Sequence, residues 1–414
     1  MGRVDCVWRA PGVSIARTAM TSRLFSGPFA RVTVANFFFF LNFASFFLLP
    51  LFVKSLGGSE SMVGAVMGSS GMAALLALPL IGVALDRFGR RRFFVFGSLG
   101  MTCAALGFLF VERISPILFA LRILQGVSFA AAFTATTTLA AELAPRERRA
   151  EALGLFGVST LLTHAIAPSI GEEIIHRGGF HALFITAALC TTLPLLLLRS
   201  VPARRGAAAG LVHVPWSVSP LQWVVLLTMT LAGMGFGAVT TFIPTFVRNA
   251  GLGRVAFFYG AYSAAAILTR MFGGGLSDSL GRRAVILPTL VVLAAAIFLV
   301  GLIGSVPALV CTGILFGAAQ GISYPTLHAF LVDLSPDAHL GRAQALFNGA
   351  FNLGVMGSAF IFGPVADHLG QRPMFMLAAL MPLAASLLFY FFGVPHTQRT
   401  AAVGSVVPSV DVVS

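Results

Sequence analysis

Along this chain, apolar runs of about 20 residues alternate with short polar stretches, and the alternation continues from Phe29 to Gly393. Twenty residues of α-helix rise about 30 Å, the thickness of a bilayer's hydrocarbon core. Within that core a backbone must satisfy its own hydrogen bonds, and these runs are about twice the length of a barrel strand. The expected class is therefore an all-α integral membrane protein. The pattern predicts helices over 32–53 and 62–85, a third ending near 111, then 116–143, a fifth ending near 175, and 180–198. Six more are expected over 221–247, 255–277, 284–304, 306–333, 341–366 and 373–393, for 12 transmembrane helices in all.

Polar side chains inside these runs sort by helix. The third, sixth, ninth and twelfth hold only Ser, Thr and Cys in their middles, which places them at the lipid-facing periphery. The fourth carries Arg122, Gln125, Phe129, Phe133 and Thr136 in one stripe at about 100° per residue. The eighth aligns Tyr259, Ser263 and Arg270, the tenth Gln320, Tyr324 and His328, and the eleventh Gln344, Asn348 and Asn352. Such side chains either tie helices together by hydrogen bonds or line a shared wet cavity. Four stripes on four helices favour the cavity. Its expected lining is Gln125, Phe129, Tyr259, Gln320, Tyr324, Asn348 and Asn352, with Asn42 from the first helix.

Charge changes the picture next. Only 10% of the 414 residues are charged and 57% are hydrophobic, against about 25% charged in soluble domains. The net charge of +13 raises the thought of nucleic acid, but its distribution argues against that partner. Nineteen of the 27 basic residues fall on the termini and alternate loops, six on the intervening loops, and Arg122 and Arg270 inside apolar runs. This positive-inside bias places both termini in the cytoplasm and the protein in the cell (inner) membrane. The four cysteines stand singly, without metal-ligand spacing, and read as packing residues. No metal and no cofactor are expected. The first 28 residues are arginine-rich and lack an apolar core, so they are not read as a signal peptide.

An internal repeat organises the helices. Gly82, Asp86, Gly89, Arg90 and Arg91 recur 192 positions later as Gly274, Asp278, Gly281, Arg282 and Arg283. Leu124-Gln125-Gly126 recurs as Ala319-Gln320-Gly321, and Leu143-Ala144-Pro145 as Leu334-Ser335-Pro336. The chain thus divides into two six-helix bundles, over 30–199 and 220–393, with a cytoplasmic linker at 200–219 and tails at 1–29 and 394–414. Parallel repeats of this kind suit a rocking transporter.

Gly82-x-x-x-Asp86-Arg87-x-Gly89-Arg90-Arg91 resembles the signature turn between helices 2 and 3 of the major facilitator superfamily. Arg122-x-x-Gln125-Gly126 is similar to that family's fourth-helix motif. The resemblance spans 32–393 and implies that family's 12-helix fold, with the drug and sugar efflux branch nearest. Proton-driven exporters of the family carry Gly-x-x-x-Gly-Pro-x-x-Gly on helix 5. This chain has Thr163-x-x-x-Ala167-Pro168-x-x-Gly171, with Thr and Ala in place of two glycines.

The same residues suggest a gate and a proton path. Gly82 and Gly274 would let another helix approach closely. Asp86 and Asp278, beside Arg87, Arg90 and Arg282, would face an Arg or the positive N-terminus of a helix in the opposite half. Such contacts would latch the cytoplasmic side shut; anchoring by the arginines alone is the simpler alternative. Arg270 and Asp333 are candidates for a second latch, or Arg270 snorkels to the interface. A charge at the depth of Arg122 costs roughly 2.5–3.5 kcal/mol and needs a partner or water. The resemblance implicates this arginine in proton coupling. Glu172 is then expected to take up the proton while Arg122 keeps its carboxylate ionised, the alternative being a static ion pair. His164, in the middle of helix 5, titrates in the useful range, or packs as a neutral ring.

The expected function is secondary transport of a small, partly apolar molecule, exported in exchange for protons by a monomer working by alternating access. A proton symporter or facilitator importing a small metabolite such as a sugar is the alternative. The expected partners are the small-molecule substrate, protons and the lipid bilayer. No HExxH, GxSxG or phosphate-binding loop occurs, and Lys54 is the single lysine, so neither an enzyme nor ATP drive is expected.

Overall fold

The computed structural model describes residues 27–144, 149–197, 217–273, 276–336 and 339–393. Residues 1–26 and 394–414, most of the expected linker, Gly274, and the Asp86 side chain lie outside the described residues. The first half comprises α1 (Gly27–Ser55), α2 (Glu60–Phe88), α3 (Arg90–Gly107) and α4 (Pro116–Leu143). The helical run Arg149–Leu197 follows, in which Gly179 is non-helical (φ 70°, ψ −174°) and separates α5 (149–178) from α6 (180–197). The second half comprises α7 (Pro220–Asn249), α8 (Ala256–Gly273), α9 (Arg282–Val300), α10 (Val306–Asp333), α11 (Leu340–Leu369) and α12 (Gln371–Gly393). Among the described residues, ten helices are long and apolar enough to cross a membrane. One of these is the double crossing α5–α6, and α8, polar along one face, completes the twelve.

Local chemistry starts and stops these helices. Ser59, Ser219 and Ser305 each accept a backbone N–H at the start of α2, α7 and α10, and Ser219 forms a reciprocal capping box with Gln222. Gly89 (φ 92°) and Gly281 (φ 87°) make the α2–α3 and α8–α9 turns in a left-handed conformation that a Cβ would strain. The second glycine of the duplicated motif is therefore a turn residue.

Helices α1–α6 and α7–α12 form the two six-helix bundles. In the first, α1 packs along α5 and α6 while α2 and α3 pack on α4; in the second, α7 packs on α11 while α8 and α9 pack on α10. The halves meet along α2–α11 and α5–α8. Because α2 matches α8 and α5 matches α11 in the repeat, this is one contact made twice. Helices α3, α6, α9 and α12 expose Phe96, Leu189, Phe298 and Phe391, as a lipid-facing periphery requires. Connections after even-numbered helices lie at one end, termed the basic end for its arginines, and those after odd-numbered helices at the far end.

Candidate functional site

At the far end, carboxylates of one half cap helices of the other. Glu172, near the end of α5, accepts the backbone N–H groups of Val255 (2.9 Å) and Ala256 (3.0 Å) where α8 begins. Asp367, near the end of α11, accepts those of Glu60 (2.7 Å) and Ser61 (2.8 Å) where α2 begins, and also the Ser61 hydroxyl. Each carboxylate faces two unpaired N–H groups at the positive end of a helix dipole. Around them, Thr245 of α7 donates to Glu60 (3.2 Å), and Arg254 pairs with Glu173 (3.0 Å) across the halves. Below the α2 cap, a Cβ on Gly64 would lie 2.0 Å from the Ala359 carbonyl oxygen of α11.

At the basic end, the ion pairs between described residues join helices of one half. Arg90 of α3 meets Glu142 of α4 at 3.0 Å. Arg282 of α9 meets Asp333 of α10 at 2.7 Å and Asp278 at 2.7 Å. Arg87 is exposed beside the Phe88 ring, and Gly82 has no atom within 4 Å of where its Cβ would be. The expected gate is not seen closed among the described residues in this conformation, and the Asp86 side chain and Gly274 lie outside them. Carboxylate-to-helix latches across the halves exist, but at the far end, whereas Asp278 and Arg282 clamp α8–α9 to α10 inside the second bundle. Asp333 is taken by Arg282, which rules out the expected pair with Arg270 in this conformation.

Arg122 and Glu172 do not pair in this conformation. Arg122 is buried and donates to the Val66 carbonyl (3.2 Å), the Met67 carbonyl (3.4 Å), the Ser70 hydroxyl and Gln125 Oε1 (2.8 Å). Glu172 is held by α8 instead. The reason is geometric: Arg122 faces α2, and helix backbone carbonyls satisfy its guanidinium without a counter-ion. The whole Arg-x-x-Gln-Gly motif serves this contact. Gln125 holds Arg122, and a Cβ on Gly126 would lie 2.1 Å from the Ser70 carbonyl oxygen. The repeat does the same with Gly321, whose Cβ would lie 2.2 Å from the Thr269 hydroxyl of α8.

Between the halves lies a column of rings. Phe129 stacks on Phe43 at 4.2 Å within an α1–α4 cluster with Phe39, Phe40 and Phe133. Phe47 of α1 packs edge-on to His164 of α5 (5.0 Å) and stacks on Tyr259 of α8 (5.5 Å). Both His164 ring nitrogens are buried without partners. In the second half Tyr324 donates to Asn348 Oδ1 (3.0 Å), and Asn352 donates to the Asn348 carbonyl (2.9 Å). Arg270 lies over the Tyr324 ring, 5.8 Å from its centre. Gln320 is buried one turn before Tyr324. Two expected cavity residues belong to the packing instead. Tyr259 is fully buried and donates to the Thr240 carbonyl (3.0 Å), and Asn42 is fully buried and donates to the Ala187 carbonyl of α6 (2.7 Å).

Two mirrored bundles joined by α2–α11 and α5–α8, with motifs at the α2–α3 turn and on α4, invite comparison with known proteins. The chain matches the Major Facilitator Superfamily over residues 32–268 and again over 253–408. It belongs to the major facilitator superfamily. The staphylopine export protein of Staphylococcus aureus is 22% identical over 384 residues, covering 88% of this chain and 95% of that protein. The multi-drug resistance efflux pump PmrA of Streptococcus pneumoniae is 27% identical over 358 residues, covering 82% and 89%. The crystal structure of the nucleoside transporter NupG superposes with a TM-score of 0.72 at 13% identity, over 89% of this chain and 99% of that one. That level of identity establishes the shared fold.

This facilitator-superfamily transporter is not an enzyme, and it sits in a lipid bilayer as a multi-pass protein. Sequence reasoning missed the carboxylates Glu142 and Asp367 and gave Asp333 a different partner. Glu142 and Asp333 immediately precede the duplicated Leu-x-Pro segments, so the repeat itself marks them as partners of Arg90 and Arg282. Asp367 stands near the end of α11 much as Glu172 stands near the end of α5, a correspondence readable from Ala167-Pro168 and Gly363-Pro364.

Proposed function

We propose that this transporter exports a small, partly apolar molecule in exchange for protons, with the basic end and both termini in the cytoplasm. The observation that carries the reading is the mirrored pair of carboxylate-capped helices, Glu172 on α8 and Asp367 on α2, joining the halves at the far end. A latch made at one end and left open at the other is what alternating access requires. The excess of arginine at the opposite end favours a cytoplasmic opening there. Two relatives whose names record export or efflux favour the outward direction.

In this scheme a proton arriving from outside neutralises Glu172, weakens its hold on α8, and lets the far end open. His164, eight residues earlier on the same helix, receives the proton through water and releases it once the basic end reopens. Arg122 holds α2 to α4 and stays out of the relay, while Phe129, Tyr324, Asn348 and Asn352 face the transported molecule. The chain works as a monomer, since one copy contains both halves of the cycle. Proteoliposomes enclosing a pH-sensitive dye test the exchange with a panel of lipophilic drugs and metabolites. Inward movement of an accepted compound should drive protons out, and Glu172→Gln should abolish that movement. Protons travelling with the compound would establish the symport alternative.

A further inference from the structure

The protein has two arginines inside its membrane helices, and they stand in opposite situations. Arg122 spends its donors on α2 carbonyls, Ser70 and Gln125. Arg270, on α8, makes no ion pair or hydrogen bond among the described residues, and its Nε is buried without a partner. A guanidinium cannot shed its charge at neutral pH, so a half-buried one on a membrane helix needs water or an anion to meet it. The described carboxylates sit at helix ends, and Asp333, the acidic residue nearest the basic end of α10, is already held by Arg282.

The surroundings of Arg270 are those of a binding site. Its guanidinium carbon lies 5.8 Å from the centre of the Tyr324 ring, and among the described residues no hydrogen bond occupies its fork, the arrangement that can receive two oxygens. Two turns earlier on the same helix, the Tyr262 ring stacks 6.4 Å from the His164 ring of the facing half. From Tyr324 a run of rings continues through Phe351 (5.2 Å) and Phe236 (5.4 Å) to Tyr262 (6.2 Å). This is a charged anchor beside an apolar wall.

We propose that Arg270 is the anchor for a carboxylate group on the transported molecule, whose apolar body packs along Tyr324, Phe351, Phe236 and Tyr262. His164, with both ring nitrogens unpartnered on the facing half, supplies a second contact to the same ligand. The substrate class is then an aromatic or aliphatic monocarboxylate. The inference rests on the transport reading only in taking the space between the halves as the substrate site; it is independent of direction and of proton exchange.

The test measures the melting temperature of the purified full chain in detergent with paired probes: benzoate against benzamide, and phenylacetate against phenylacetamide. The carboxylate of each pair should raise the melting temperature and the neutral amide should not. In Arg270→Gln the carboxylate's apparent affinity should fall about tenfold to a hundredfold, the usual effect of losing a charge-assisted hydrogen bond. Equal stabilisation by both members of a pair, no stabilisation by either carboxylate, or full retention in Arg270→Gln would each overturn the proposal. The comparison on the unaltered protein holds even where the variant does not fold. Carboxylate selectivity without proton exchange in the proteoliposome assay would leave this site standing and sink the exchange mechanism alone.

Discussion

Helix α2 carries two glycines on one line, Gly64 near the far end and Gly82 near the basic end, about five turns apart. A Cβ on Gly64 would collide with the α11 backbone, 2.0 Å from the Ala359 oxygen, whereas one on Gly82 would meet nothing within 4 Å. The same helix face is thus closed on the opposite half at one end and unoccupied at the other. Polar groups follow the same division. At the far end Glu172, Asp367, Glu60 and Glu173 find partners across the halves. At the basic end the pairs Arg90–Glu142 and Arg282–Asp333 each join two helices of one half. Two glycines on one helix face need not both be packed against a neighbour at the same time. Such a face can serve two conformations in turn.

Substitutions can break or sharpen that contrast. Gly64→Leu has the largest expected effect, because backbone oxygen leaves no room for even the first side-chain carbon. Transport should be lost, and a cysteine introduced on the adjoining face of α2 should become labelled from the far side. Gly82→Leu should also stop transport while leaving this conformation's thermal stability intact or slightly raised, since the site is empty here and Leu is the better helix former. Equal loss of stability in the two glycine variants would end the comparison.

The next effect down is the pair of caps. Glu172→Gln and Asp367→Asn should each weaken the far-end closure by about 0.5–2 kcal/mol, the range for a cap and its dipole interaction. Labelling from the far side would then rise several-fold in each variant and further in the double variant. A double variant no more open than either single one would show that the two caps are not equivalent latches. Arg282→Gln should be mildest. It removes pairs with two well-exposed carboxylates, Asp278 and Asp333, each contributing under about 1 kcal/mol, and should not alter far-end labelling.

Much of this was legible along the chain. The α2–α3 turn and its copy located the repeat, and the stripe Arg122–Gln125 located a polar contact on α4. The partners were not legible. Arg122 was matched with Glu172 because a buried cation suggests a buried anion, and instead it found carbonyls of α2 one helix away. Tyr259 and Asn42 shared the polarity of cavity residues but face Thr240 and Ala187. Charge and polarity say that a side chain needs a partner; rotation of the helix by a few tens of degrees decides which one it reaches.

What the sequence determined by itself is the class, the helices, the duplication and the basic end. Each of these follows from signals that are periodic or summed over many residues: about 20 apolar positions per crossing, one repeat per half, arginines on alternate loops. Tertiary structure alone decided that Glu172 and Asp367 cap helices of the opposite half, that Arg122 is satisfied by backbone, and that Arg270 stands without a counter-ion among the described residues. Those outcomes turn on contacts of about 3 Å between segments far apart in the chain. They also depend on which end of the bundle is closed, and a sequence that must fit both conformations does not choose between them.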